Sequence, residues 1–401
     1  MCNDQLLSAA ESGDVTKLRE LLDAGADPFA KSVYRTRFEK ENFSAELLKV
    51  VEEDPDPEKT NAWKVAAGSN RVDILRELLA RCDRMEMEAL HEAAGYGHVE
   101  CLRFLLENGG DVNFQQDTAS YTPLHVAAIF STVDCVRLLL EKGADVNCSG
   151  PNGNTALIFA CIDKTYDLKC FPEKNRADCL SVLLEKGADP NRASKTGVTA
   201  LHEAAAAGHT ECLRVLVESG GDPNGAEENG FTPLFYPLFV DNGKPECIRL
   251  LLEKGCDANH LDNTGRSVIT HAVIHDRRNM LRLLIDHGVD LDVADEDGSS
   301  AVHYAAYQNR MECLRLLLVG GADPNMPDVN GLPPTMYAKG GKNDGCYALL
   351  IKHGAEDVSD SMSSDVTSDL MKMMQKKIGK ELTNEAANMV VSAAVGCCIV
   401  S

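Results

Sequence analysis

The residues of this chain best equipped for chemistry are its fifteen cysteines, its eleven histidines and one dense run of carboxylates. Seven cysteines, Cys101, Cys135, Cys179, Cys212, Cys247, Cys313 and Cys346, fall at one equivalent position of a repeating pattern, and no two cysteines form a CxxC pair. Equivalent sites in successive repeats point the same way instead of converging. A small polarizable side chain there suits a tight helix contact better than a metal. His91-Glu92 and His202-Glu203 open like a zinc-protease helix, but the next histidines, His98 and His209, stand two turns on where that chemistry needs one. His271 and His275 do lie one turn apart, yet no third ligand accompanies them, and they read as a polar patch on a groove. Gly243-Lys244, Gly341-Lys342 and Gly379-Lys380 lack the Ser or Thr that a phosphate-binding lysine loop requires, and no G-x-S-x-G elbow occurs. The acidic run Asp290, Asp292, Asp295, Glu296 and Asp297 misses the calcium-loop spacing and reads as a solvated turn. No catalytic constellation emerges, so the chain is expected to be neither an enzyme nor a holder of metal or cofactor.

What positions these residues is a repeat. Leu124 and Gly143 stand nineteen positions apart, as do Leu6 and Gly25, Leu90 and Gly109, Leu201 and Gly220, Ile269 and Gly288, Val302 and Gly321, and Thr335 and Gly354. Further units are anchored at Trp63, where Cys82 replaces the glycine, and at Leu157 and Leu234, which carry insertions; the count is ten. In each unit Thr122 or its counterpart can cap a first helix, and Pro123 supplies a preset φ where its missing N–H costs nothing. The alanine pairs Ala93-Ala94, Ala127-Ala128, Ala204-Ala205 and Ala305-Ala306 keep that helix thin. A second helix, rich in leucine, ends at a glycine suited to the left-handed conformation. Aromatics are only 5% of the chain, which fits a core of Leu, Ala, Val and Cys.

These residues, TPLHVAA with GADVN and their variants, resemble the ankyrin repeat over roughly residues 4 to 357. The resemblance implies an all-α ankyrin-repeat solenoid of stacked helix pairs with β-turn fingers. It also implies a protein-binding module, with histidines such as His91, His125, His202 and His303 tying neighbouring turns together. The expected organisation is a capping repeat over 1–30, an insertion over 31–60, repeats over 61–357, a linker over 358–364 and an amphipathic tail helix over 365–401. Residues 164–175 form a further insertion, and the short stretch from Cys82 to Leu90 leaves the first two units askew.

In that family architecture the two positions after the alanine pair face the groove. They hold Tyr96, Ile129, Phe130, Ile162, Phe239, Ile274, His275 and Tyr307, an apolar row expected to bind a protein partner. In the tail, Leu370, Met374, Ile378 and Leu382 make one apolar face, with Lys372, Lys376 and Lys380 opposite. Cys398-Ile399-Val400-Ser401 looks like a C-a-a-X box, which implies prenylation of Cys398, with Cys397 a candidate for palmitoylation. A net charge of -22 opposes nucleic acid as a partner. Without a signal segment or a spanning run, the chain is expected to be a cytoplasmic adaptor, tethered through its tail to the cytoplasmic face of a membrane. The alternative is a soluble adaptor, such as the substrate-recruiting subunit of a larger complex, whose tail helix docks a second protein.

Overall fold

The computed structural model describes residues 2–30, 61–116, 120–162, 173–240 and 243–357. The tail, the 31–60 insertion and most of the 164–175 insertion therefore lie outside the described residues, as do Cys397 and Cys398. Among the described residues the chain is all helical. It has no strand, only the isolated bridges Leu261–Ser267 and Ala294–Ser300 at the feet of two fingers.

Among the described residues twenty α-helices follow in pairs. They divide between two compact units, the first holding residues up to Ala200 with Glu218–Gly220, the second Leu201–Val217 and Gly221 onward. The first unit contains α1 (Cys2–Ser12), α2 (Val15–Asp23), α3 (Ala62–Gly68), α4 (Val72–Arg81), α5 (Ala89–Gly95), α6 (Val99–Glu107), α7 (Pro123–Ile129), α8 (Val133–Glu141), α9 (Ala156–Cys161) and α10 (Glu173–Glu185). The pairs continue with α11 (Ala200–Ala206), α12 (Thr210–Glu218), α13 (Tyr236–Phe239), α14 (Pro245–Glu253), α15 (Val268–Ile274), α16 (Arg278–Asp286), α17 (Ala301–Tyr307), α18 (Met311–Gly320), α19 (Pro334–Gly340) and α20 (Asp344–Lys352). First helices pack on first helices, α1 on α3, α3 on α5, α5 on α7 and α7 on α9, while second helices α2, α4, α6, α8 and α10 form a parallel row. Within the second unit α15 packs on α17 and α17 on α19, with α14, α16, α18 and α20 beside them.

Local chemistry sets these elements. Thr122 caps α7 by accepting the His125 N–H at 3.4 Å, with Pro123 at the first helical position. Asn61 caps α3 by accepting the N–H groups of Trp63 and Lys64, both at 3.1 Å. The alanine pair Ala127-Ala128 is wholly buried, as are Leu139, Leu102, Leu105, Leu314 and Leu317 of the second helices. Gly143 closes α8 at φ 90°, in the left-handed region where a Cβ would be strained.

Two departures have local causes. The first helix of the Leu234 unit shrinks to four residues because Pro237 replaces the first alanine, removing an N–H from the helix ladder. The short link after α4 still lets α3 pack on α5 as its neighbours do, and buried Lys64 reaches Glu88 at 3.1 Å and Glu92 at 3.6 Å. Of the expected 164–175 insertion, Glu173 already opens α10. The last described pair ends on polar groups. Lys339 stands where the preceding first helix has Ala306, its ammonium lies 5.0 Å from the centre of the Tyr347 ring, and the Tyr347 hydroxyl donates to Asp357.

Candidate partner-binding surface

The first helices present the side chains of interest, and two sets of hydrogen bonds hold them in register. In the first set, a histidine four residues into the unit reaches the next finger. Thr122 N–H donates to His125 Nδ1 at 3.1 Å, so Nε2 carries the proton and donates to the Cys148 carbonyl at 3.0 Å. His303 repeats this, accepting from Ser300 N–H at 3.0 Å and donating to the Leu332 carbonyl at 3.2 Å. His91 donates to Tyr121 at 2.8 Å and His202 to Phe231 at 3.1 Å. Burial pushes His125 and His202 down to about 4, so both are neutral at pH 7. The expectation that these histidines tie neighbouring turns together holds.

The second set was not foreseen. A helix end leaves carbonyls without partners, and here the residue preceding a second helix donates, in several repeats, to the end of the previous repeat's first helix. His98 donates to Gly68 at 2.9 Å, Thr132 to Ala94 at 2.7 Å, Arg277 to Leu238 at 2.8 Å, and Asn343 to Ala306 and Tyr307 at 2.8 and 2.7 Å. The chemistry is constant but the residue type is not, which hid it. A polar donor at that position of nearly every unit was the available signal.

On this framework Tyr96, Phe130 and Ile162 are half-buried in the first unit, and Phe239, His275 and Tyr307 in the second. Ile129 and Ile274, expected on the groove, are instead core residues at 4% and 5% exposure. Ile129 is covered because the next unit supplies Phe159 and the preceding finger Tyr121, which bury it in one cluster with Phe130, Val126 and Ile162 at its edge. Glycines admit the aromatic rings: a Cβ on Gly68 would stand 3.2 Å from Tyr96, and one on Gly95 would meet Val126 at 3.0 Å and Phe130 at 3.4 Å.

The second unit differs in its fingers. Asp262, Asp295 and Asp328 are buried, and each accepts hydrogen bonds at both ends of its finger loop. Asp328 Oδ1 accepts from Asn330 and Leu332 N–H at 2.8 and 2.9 Å, and its Oδ2 from the Tyr337 hydroxyl at 2.8 Å. Asp295 accepts from Asp297 and Ser299 N–H at 3.0 and 2.8 Å and from the Tyr304 hydroxyl at 2.7 Å. Asp295 is thus no part of a solvated turn: the finger folds around it. His271 occupies the slot of those tyrosines, its Nε2 2.8 Å from Asp262 Oδ2, with the pair almost wholly buried. The reading of His271 as a groove patch is corrected accordingly, because Phe231, Phe235 and Phe239 enclose it with ring centres 5.3, 5.4 and 5.6 Å away. Burial works against the Asp262 carboxylate, but hydrogen bonds and charge from His271 outweigh it and hold its pKa below the ordinary value.

The repeated cysteines are structural. All seven are buried, and the Cys313 thiol donates to Asp276 at 3.3 Å and Cys101 to Asn70 at 3.5 Å. Burial pushes Cys101, Cys135 and Cys313 up to about 12, far from a nucleophile's range. Among the described residues no three His, Cys, Asp or Glu side chains converge as a metal site would.

The family model described as ankyrin repeats (3 copies) matches residues 6–116, 108–192, 168–239 and 237–328. The chain belongs to the ankyrin-repeat family. Among solved structures it is similar to the ankyrin repeat domain of Bcl-3, a member of the IkappaB protein family, at 26% identity and a TM-score of 0.50, over 58% of this chain and 98% of that one. The human ASB11 ankyrin repeat domain is 28% identical, with a TM-score of 0.49, over 59% and 98%. No curated protein matches. Ankyrin repeats are protein–protein interaction modules, and the first-helix surface of this ankyrin-repeat protein is its candidate interface.

Proposed function

We propose that this protein is a non-enzymatic scaffold of ten ankyrin units that holds a partner protein on its first-helix groove. The observation that carries this reading is the set of half-buried side chains on the first helices, Tyr96, Phe130 and Ile162 in the first unit and Phe239, His275 and Tyr307 in the second. These side chains stand on helices locked by hydrogen bonds between units, so they meet a partner with little ordering left to do. Large apolar and aromatic side chains on a rigid face are the usual anchors of binding. Photo-crosslinking tests it: p-benzoylphenylalanine at position 130 or 239 should give discrete protein adducts in a eukaryotic cell, and at Arg137 or Arg282, exposed on second helices, none. Adducts from the second-helix positions alone would refute it.

The finer reading is an adaptor tethered to the cytoplasmic face of a membrane through prenylated Cys398, with acylated Cys397 as the second signal. The polar end formed by Lys339, Tyr347 and Asp357 favours this over a tail that merely covers the last pair. One lipid binds marginally, whereas two anchor. Cys398→Ser should move the protein from the membrane to the soluble fraction, and mass spectrometry should find added lipid on the wild-type terminal peptide. An unmodified terminus on a fully soluble wild-type protein leaves the soluble adaptor.

A further inference from the structure

In the first unit two neighbouring fingers meet at a serine. The finger between α8 and α9 carries Ser149, and the finger that follows α10 carries Arg192 and Lys195. Three bonds hold the fingers side by side: Asp189 N–H donates to Asn147 Oδ1 at 2.9 Å, Lys195 N–H to the Asn152 carbonyl at 2.8 Å, and Arg192 Nη2 to Ser149 Oγ at 3.3 Å. Contact is close. A Cβ on Gly153 would stand only 3.0 Å from the Lys195 backbone nitrogen.

Ser149 is exposed, and among the described residues its N–H and carbonyl bond no other backbone group. An enzyme that grips an extended backbone therefore finds both groups open. The carbonyl has only a long contact, 4.0 Å, from the Cys148 thiol. Arg192 and Lys195 are exposed too, and neither makes an ion pair among the described residues. The carboxylates at the feet of the two fingers, Asp145 and Asp189, each accept a loop N–H, from Asn147 at 3.0 Å and from Asn191 at 2.9 Å. In the second unit the fingertip residues that bond the preceding finger as Lys195 does are Asn263, Glu296 and Val329. None of them is basic. In a chain of net charge -22, two cations without a counter-ion thus share the finger that touches the Ser149 hydroxyl.

We propose that Ser149 is a phosphorylation site whose phosphate is held by Arg192, with Lys195 adding charge from the same finger. The donor is a nucleoside triphosphate bound by a protein kinase. Ser149 Oγ bonds the γ-phosphorus, the bond from that phosphorus to the β-phosphate oxygen breaks, the nucleoside diphosphate leaves, and the hydroxyl proton passes to the kinase's base. The product carries about -1.5 to -2 charges and three strong acceptor oxygens, so one bond to a neutral hydroxyl becomes a charge-assisted clasp between fingers. The modified finger leads into α9, whose Phe159 packs under Phe130 and Ile162. A change of charge is thereby set beside the interaction face.

The test has two arms, both on the full chain. Incubated with ATP and a eukaryotic cell extract, the wild type should gain phosphate on Ser149 as located by mass spectrometry, and Ser149→Ala should gain none there. In the second arm phosphoserine is installed at position 149 by codon expansion and titrated by 31P NMR. Its second ionisation should fall about half a unit or more below the ordinary value of about 6, roughly a 3-fold change in the constant, and Arg192→Gln should return it to about 6. Lys195→Gln should return part of the shift. Arg192 is exposed, so its replacement should leave helical circular dichroism unchanged. Absence of phosphate on Ser149 in the extract, or a titration that Arg192→Gln leaves unaltered, overturns the proposal.

Discussion

Acid should loosen this protein well above the pH at which carboxylates protonate, and the cause is the histidine ties. His125 is 1% exposed, its Nδ1 already accepts the Thr122 N–H, and its Nε2 proton is given to Cys148. A second proton on Nδ1 would have to displace that bond inside the core. The folded pKa is therefore about 4 for His125, and about 4 for the similarly buried His202, against about 6.5 in the unfolded chain. Above pH 6.5 both states are neutral and the ties contribute in full. Below it the unfolded chain takes up protons that the folded one refuses, and stability falls until pH passes about 4. At pH 5 the loss is about 2 kcal/mol for each histidine, about 4 kcal/mol for the two, a large share of a marginal total of about 5–15 kcal/mol. The assay is urea unfolding followed by helical circular dichroism at pH 7 and pH 5. The His125→Gln, His202→Gln double variant will be weaker at pH 7 but should lose roughly 4 kcal/mol less than wild type between the two pH values. An unchanged difference between pH 7 and pH 5 in that variant would refute the assignment of these protons.

Replacing Asp328 with Ala leaves the Leu332 N–H without its acceptor and takes from the Tyr337 hydroxyl one of its two partners, Ser299 Oγ remaining at 3.0 Å, and at about 1–3 kcal/mol for the buried N–H the last pair, α19–α20, should melt first, seen as faster hydrogen exchange over 334–352. Ile129→Ser should cost about 2–4 kcal/mol in urea unfolding, while Phe130→Ser one position on should cost under about 1 kcal/mol, since only the first is in the core. Native protein at pH 8 should leave Cys101, Cys135 and Cys313 unlabelled by iodoacetamide, because thiols held near 12 are almost wholly protonated and enclosed, with label found first, among the cysteines whose burial is described, on half-exposed Cys148.

The sequence made local features plain and tertiary ones obscure. Thr122, Pro123, the alanine pair and Gly143 each act within a few residues, so residue type and spacing disclosed their roles, whereas the tie made by the histidines came from the resemblance to the ankyrin repeat. Burial of Ile129 depends on Tyr121 and Phe159, contributed by a finger and by the next unit, and no property of position 129 announces it. The finger carboxylates were hidden by their surroundings, since Asp295 sits beside Asp290, Glu296 and Asp297, which are exposed. The sign was the partner nine residues on, His271, Tyr304 or Tyr337, a periodicity that neither helix nor strand explains. His271 likewise misled by lying one turn from His275, which drew attention to a shared ligand and away from Asp262.

The central claim is that a partner protein sits on the first-helix face. The most direct measurement is the affinity of the partner isolated with the full-length chain for wild type, for Tyr96→Ala/Phe130→Ser and for Arg137→Ser, each first checked for an unchanged unfolding midpoint. The account predicts at least a tenfold weakening for the first-helix variant, about 1.4 kcal/mol or more, and none for Arg137→Ser. A partner that binds the Tyr96→Ala/Phe130→Ser variant as tightly as wild type and loses its hold on Arg137→Ser would contradict it.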